Sequence, residues 1–377
     1  MAFIQYGTQC IEDDDISAVV ETLKSGYLTT GSKVAEFESL LSEVVGAKYT
    51  VAVSSGTAAL HLAALATNVQ SGDEVITTPL TFAASANCVL YCGAKPVFAD
   101  IESDTLLIDI EDIKRKITKK TKAILPVHYG GELCNIESAI RLAEEHNITV
   151  IQDCAHSLGS EFVGGKKQGE YPGQQIWSFH PVKTITTGEG GAVTTNDEKL
   201  YQSLLLLRTH GITRDASQFV NSYEGAWYYE MQELGFNYRI TDIQCALGVS
   251  QLKKLKRFAK RRTEIVTQYD EAFSDMPITV QESPSYCKAL RHLYIILLNN
   301  SSHRREVFDK LREANIGVNV HYIPVYYMPY YQKLGYKKGL CPKAEEAYER
   351  MITLPLHPLM NNEQVEYVIE VVRNAVV

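Results

Sequence analysis

With 377 residues the chain is longer than one hydrophobic core usually serves, so two domains are expected. Apolar residues make up 45% and charged residues 22%, which excludes a wholly disordered chain. The net charge of −8 argues against a broad nucleic-acid surface, yet a few local donors suffice for a small phosphorylated ligand.

The opening stretch MAFIQYGTQCIEDDD turns acidic early and has no basic region followed by an apolar one, so no secretory signal is read there. The longest apolar runs, such as Tyr294 to Leu298, are too short to span a bilayer, and a cytoplasmic protein without a membrane partner is expected. Eight cysteines, at 10, 88, 92, 134, 154, 245, 287 and 341, form no CxxC pair and read as reduced, buried thiols. Cys88 and Cys92 lie one helical turn apart, but no second ligand pair is near and no metal site is expected.

From residue 50, short β-rich runs alternate with helical patterns. YTVAVSS (49–55) precedes GTAALHLAALAT, and EVITTP (74–79) precedes FAASANCVLYCG. KPVFADI (95–101), KAILPVHY (122–129) and ITVIQDCA (148–155) follow, separated by helix-like stretches such as NIESAIRLAEEHN (135–147). This alternation predicts βαβ units, hence an α/β fold with a mostly parallel sheet covered on both faces. QQIWSFH and GGAVTTN are close enough to pair as neighbouring strands. After Thr241 one long helical period places Ile243, Leu247, Leu252, Leu255, Phe258 and Ile265 near one face. Lys253, Lys254, Lys256, Arg257 and Lys260 to Arg262 fall largely on the other, which reads as a solvated face rather than a nucleic-acid surface. The domain boundary is expected on this helix, giving a large domain over 1–255 and a smaller C-terminal α/β domain over 256–377. The latter holds HLYIILL (292–298) and a helix around 303–314.

Four features fall at strand ends or the turns after them, where α/β sheets bind ligands. Ser54-Ser55-Gly56-Thr57 is a small turn between strand and helix, suited to phosphate through its backbone N–H groups, although Ser and Thr are also ordinary N-caps. Phe82 reads as core by default, or as a flat face offered to a ring. Asp153 ends an apolar strand and needs a cation there, either a Lys or Arg or a protonated pyridine nitrogen; His156 follows three residues later and would face the same space. Lys183, in SFHPVKTITTGEGG (178–191), sits between Pro181 and a glycine cluster, and an amine shielded from water becomes a nucleophile toward aldehydes. Alone, each has a blander structural explanation. Together, a phosphate turn, an aromatic plate, a strand-end acid and a lysine are the parts that hold pyridoxal phosphate.

The motifs SSGTAALHLAA (54–64), TTPLTFAASAN (77–87), DCAHSLGS (153–160), SFHPVKTITTGEGGAVTTND (178–197), LRTHG (207–211) and GFNYRITDIQCALGVSQLKKL (235–255) run through most of the chain in order. In them the chain resembles the DegT/DnrJ/EryC1/StrS family of sugar aminotransferases, which implies the aspartate-aminotransferase-like fold (fold type I). NVHYIPVY (319–326) and LPLH (354–357) add similarity to members that act in pseudaminic acid biosynthesis. The resemblance implies that Lys183 carries the cofactor and moves the proton, that Asp153 pairs with the ring nitrogen, and that His156 lies near the ring hydroxyl. It implies that Phe82 stacks on the ring and that Gly56, Thr57 and Ser178 contact the phosphate, together with Asn237 from a second subunit of a homodimer. Tyr6, the segment Gly26-Tyr27-Leu28-Thr29, and Asn319, Val320, His321 and Tyr322 match nucleotide-sugar contacts. The implied reaction moves an amino group from L-glutamate to C4 of a UDP-linked 4-keto-6-deoxy-N-acetylhexosamine. The chain departs from the family pattern at Thr184, in PVHYGGELCN (126–135) and in the aromatic loop NSYEGAWYYEMQ (221–232).

Another UDP- or dTDP-keto-sugar aminotransferase is the alternative within the family. A dehydratase of this fold carries histidine where Lys183 stands, and a non-catalytic PLP- or sugar-binding regulator would need a DNA-binding segment that the acidic start does not offer.

Overall fold

The computed structural model describes residues 2–376. Its main sheet has seven strands: β1 (Tyr49–Val53), β2 (Glu74–Thr77), β3 (Lys95–Phe98), β4 (Thr121–Leu125), β5 (Thr149–Asp153), β6 (Gln174–Ser178) and β7 (Gly191–Thr195). They lie in the order β1-β7-β6-β5-β4-β2-β3. Every pairing is parallel except the two made by β7, which runs antiparallel to β6 and β1. The exception has a local cause. β6 and β7 are joined by the short loop 179–190, which folds back on itself and leaves no length for a crossover helix. Phe179 N–H donates to Gly190 (2.9 Å), Thr187 N–H donates to Phe179 (3.0 Å), and Lys183 rides on the loop between these ties.

Two apolar layers cover the sheet. One contains the helix Gly56–Ala66, whose Ala- and Leu-rich sequence forms a helix readily and is buried nearly all round, as a segment wedged between sheet and neighbouring helices must be. The other holds Phe37, Leu41, Trp177, Phe179 and the first half of the helix Asp242–Phe273. That helix starts on a capping box between Thr241 and Gln244 and spans 32 residues. Its early apolar residues, through Leu255 and Phe258, join the main-sheet layer. Ile265, Tyr269 and Phe273 join a separate core beneath the antiparallel sheet of Ile278–Val280, Tyr294–Leu298 and Met351–Leu354. Ile4 packs in this second core as well. We propose that the division between the two units falls on this helix near residue 255, with the first residues of the chain lying against the C-terminal unit.

The helix corrects one expectation. Lys254 and Arg262 are buried rather than solvated. Lys254 turns toward the helix Asp13–Lys24 and pairs with Asp14 (2.6 Å) and the fully buried Asp15 (2.7 Å). Arg262 donates to the backbone carbonyls of Leu356 (2.9 Å) and His292 (3.4 Å). A charge run on a helix reads as solvent-facing only while no other element covers it, and here two do. The eight cysteines are free thiols, all buried but the half-buried Cys92.

Candidate active site

A cavity of about 630 Å³ opens at the carboxyl ends of the main-sheet strands, beside the segment 319–323 of the C-terminal unit. Its phosphate end is the strand-to-helix turn after β1. The Ser55 hydroxyl accepts from Ala58 N–H (3.1 Å) and the Ser55 carbonyl accepts from Ala59 N–H (3.0 Å). This leaves the Gly56 and Thr57 N–H groups without an acceptor among the described residues, at the positive end of a helix. A Cβ on Gly56 would lie 2.9 Å from Ser178 Cβ, so the absence of a side chain there brings the turn and Ser178 together. An anion held by two N–H groups and one hydroxyl fits this cradle.

Asp153 closes β5 and is buried. Its Oδ2 accepts from the Ser85 hydroxyl (2.7 Å) and its Oδ1 from Ala155 N–H (3.0 Å). Burial raises its pKa, opposed by those two hydrogen bonds and by the charge of Lys183. Ser85 was missed in the sequence, yet TTPLTFAAS carried a signal. Thr81 and Ser85 are one helical turn apart and share a hydrogen bond of 2.7 Å, so their hydroxyls form a short relay into the acid.

Lys183 lines the cavity and is half-buried, and the desolvation of its amine lowers it to about 8, with Asp153 acting in the opposite direction. Phe82 is 62% exposed, so it is not a core residue; its ring faces the cavity and lies 6.3 Å from that of Tyr322. His156 is buried, and burial, followed by the nearby charges of Lys183 and His321, holds its pKa well below the usual range. Its Nδ1 accepts from Gly130 N–H (3.4 Å) and its Nε2 meets the Tyr322 hydroxyl (3.1 Å).

The cavity thus gathers Tyr6, Gly56, Thr57, Phe82, Asp153, His156, Ser178, Lys183, Asn319, Val320, His321 and Tyr322. Gly26, Tyr27, Leu28, Thr29 and Asn237 do not line it. They lie elsewhere: Leu28 accepts from Asp242 N–H (3.0 Å), Thr29 bridges Thr241, Asn237 bridges Thr209, and Tyr27 is 70% exposed. His180, Val182 and Glu189, on the Lys183 loop, also line it and were not singled out in the sequence.

The profile of the DegT/DnrJ/EryC1/StrS aminotransferase family matches residues 9–373. The spore coat polysaccharide biosynthesis protein SpsC of Bacillus subtilis is 41% identical, over 99% of this chain and 97% of its own. The UDP-4-amino-4,6-dideoxy-N-acetyl-beta-L-altrosamine transaminase of Campylobacter jejuni is 40% identical, over 97% and 95%. Among solved structures, Streptococcus pneumoniae Spr1654 in its pyridoxamine phosphate (PMP) form superposes with a TM-score of 0.94 at 33% identity, covering 99% of both chains. Helicobacter pylori PseC, an aminotransferase of pseudaminic acid biosynthesis, superposes at 0.92 and 34%, again covering 99% of both.

Proposed function

Because the chain belongs to the DegT/DnrJ/EryC1/StrS aminotransferase family and is a pyridoxal-phosphate-dependent transaminase, we propose that it moves an amino group from L-glutamate to C4 of a UDP-linked 4-keto-6-deoxy-N-acetylhexosamine, as in pseudaminic acid biosynthesis. The observation that carries the sugar assignment is the 40% identity to the Campylobacter jejuni transaminase over nearly the whole of both chains. The similar identity to SpsC favours, as a second reading, another nucleotide keto-sugar as acceptor.

The residues present fit the cofactor. The Gly56–Thr57 turn and Ser178 would hold its phosphate, Asp153 would meet its ring nitrogen, Phe82 would lie against its ring, and Lys183 would be the amine that binds it; all of them line the cavity. When bound, pyridoxal phosphate supplies an aldehyde for the amino group in transit and an electron sink that acidifies the adjacent carbon. Asp153, when ionised, would keep the ring nitrogen protonated; the hydrogen bonds from Ser85 and Ala155 N–H favour the carboxylate and oppose the effect of its burial. Lys183 would take a proton from the donor's α-carbon in one half-reaction. In the other it delivers a proton to the sugar carbon. One lowered pKa serves both directions, because an amine near 8 accepts and releases protons at neutral pH with little penalty.

The test has two parts. Glutamate added to the purified holoenzyme is expected to bleach the visible cofactor band, and a keto-sugar to restore it. Mass spectrometry of products from a panel of UDP- and dTDP-linked 4-keto-sugars then identifies the acceptor. Bleaching followed by turnover of dTDP-sugars alone overturns the UDP assignment; no spectral response to any amino acid overturns transamination.

A further inference from the structure

The motif PVHYGGELCN is not absorbed by the cofactor site, yet it lies directly behind it. Tyr129, Gly130 and Gly131 form a tight turn with Gly130 at φ +70° and Gly131 at φ +105°. The C-terminal unit, together with Ser160 of the main-sheet unit, clamps this turn from several sides. Gly130 C=O accepts from His292 N–H (2.8 Å) and Leu293 N–H (3.2 Å), and Gly131 C=O accepts from the Ser160 hydroxyl (2.7 Å). Gln281 Nε2 donates to the Tyr129 carbonyl (3.2 Å) and to Thr105 (2.8 Å), and a Cβ on Gly130 would fall 2.5 Å from Gln281 Oε1. The neighbouring Glu132 is held by Arg291 (3.2 Å) and Ser283 (2.7 Å). The Tyr129 hydroxyl donates to the His321 carbonyl, which ties the turn to the segment carrying Tyr322.

The clamp fixes the direction of one N–H group, and a chain of consequences follows. Gly130 N–H points at His156 Nδ1, which must therefore offer a lone pair. A neutral imidazole with an accepting Nδ1 carries its proton on Nε2. Nε2–H then donates to the Tyr322 oxygen, 3.1 Å away. Tyr322 has no protein acceptor for its own hydrogen among the described residues, and its ring lines the cavity. We propose that the Tyr129–Gly131 turn sets His156 as a donor, so that Tyr322 presents its hydroxyl hydrogen to the reacting carbonyl oxygen of the keto-sugar, with Gln281 as the positioning residue of the turn.

A ketone oxygen only accepts hydrogen bonds. A tyrosine of unfixed polarity would for part of the time turn a lone pair toward it, and the relay through His156 removes that state. Tyr322 thereby becomes a specificity-determining donor for the oxo group. The assignment of the acceptor rests on the keto-sugar reading; the polarity of the relay does not.

The experiment separates the two. In the apo protein, ¹⁵N NMR of labelled histidine, with His156 identified by its loss in His156→Gln, is expected to show the Nε2–H tautomer; an Nδ1–H tautomer overturns the proposal. Gln281→Leu, which leaves every cavity-lining residue in place, is expected to shift that resonance toward a mixture of tautomers, and an unchanged tautomer removes Gln281 from the role. In the holoenzyme, Tyr322→Phe is expected to lower kcat/KM for the keto-sugar about a hundredfold while glutamate bleaches the cofactor band within about threefold of the wild-type rate. Equal slowing of both half-reactions, or a shifted pH titration of the visible band without substrate, would place the acceptor on the cofactor and overturn the sugar assignment. If no keto-sugar turns over while the tautomer is as stated, the substrate reading fails and the relay stands.

Discussion

At the scale of single residues, Lys183 and Asp153 show how burial makes chemistry out of ordinary side chains. An amine at about 8 is neutral in roughly one molecule in ten at pH 7, against fewer than about one in a thousand for a lysine at its usual value. The neutral form is the nucleophile, so the rate at which apo protein captures pyridoxal phosphate should rise with pH and level off above about 8; stopped-flow absorbance measures this. An unperturbed lysine would still be accelerating at pH 10. Ser85 supports the acid rather than contacting substrate. Ser85→Ala removes one charge-assisted hydrogen bond from Asp153 and is expected to weaken cofactor binding about tenfold, about 1.4 kcal/mol, measured by equilibrium titration of the apo protein. Both residues follow strands or turns that the sequence announced, and the relay from Ser85 to Asp153 was visible only as a repeat of hydroxyls.

At the scale of elements, the helix Asp242–Phe273 couples the two cores, and the helix Asp13–Lys24 is tied to it by charge. Asp15 is buried and depends on Lys254 for its counter-ion, with Gln251 Nε2 donating to its Oδ2 (2.8 Å). Lys254→Met leaves a buried carboxylate without a cation and is expected to cost about 3 kcal/mol in urea unfolding. Asp15→Asn in the same background should restore part of that loss, because the amide needs no counter-ion. The basic run on this helix looked solvated because periodicity reports which residues share a face, not which neighbours cover it. The partners of Lys254 lie more than two hundred residues upstream, beyond the reach of any local pattern.

At the scale of the whole molecule, one chain does not gather every residue that the family resemblance assigns to the site. Asn237, bridged to Thr209, and the segment 26–29, bound to Thr241 and Asp242, are both outside the cavity, and Tyr27 and Trp227 are 70% and 71% exposed. We propose that the surface bearing Asn237 meets a second copy, whose cavity takes that residue across the interface. A complementation assay tests it. Lys183→Ala and Asn237→Ala variants, each inactive alone, are expected to regain about a quarter of wild-type activity when mixed at equal amounts and allowed to exchange subunits. Half of the dimers would then be hybrids, each with one intact site of two. No recovery despite proven exchange would place Asn237 in its own chain's site.

The sequence by itself determined the alternation of strands and helices, the parallel sheet, and the strand-end positions of Asp153, Ser178 and the Gly56 turn. These follow from periodicities of two and 3.6 and from turn chemistry, which are local properties of the chain. It also supplied the combination that points to pyridoxal phosphate, because each part carries its own motif. Only the tertiary structure decided which side of a helix is covered, that Ser85 supports Asp153, and that the Gly130 turn faces His156 and Tyr322. Those contacts join residues from 26 to 192 positions apart. Their geometry is set by the packing of distant segments within the main-sheet unit and, for Tyr129 and Tyr322, of the C-terminal unit against it, which no single stretch of sequence encodes.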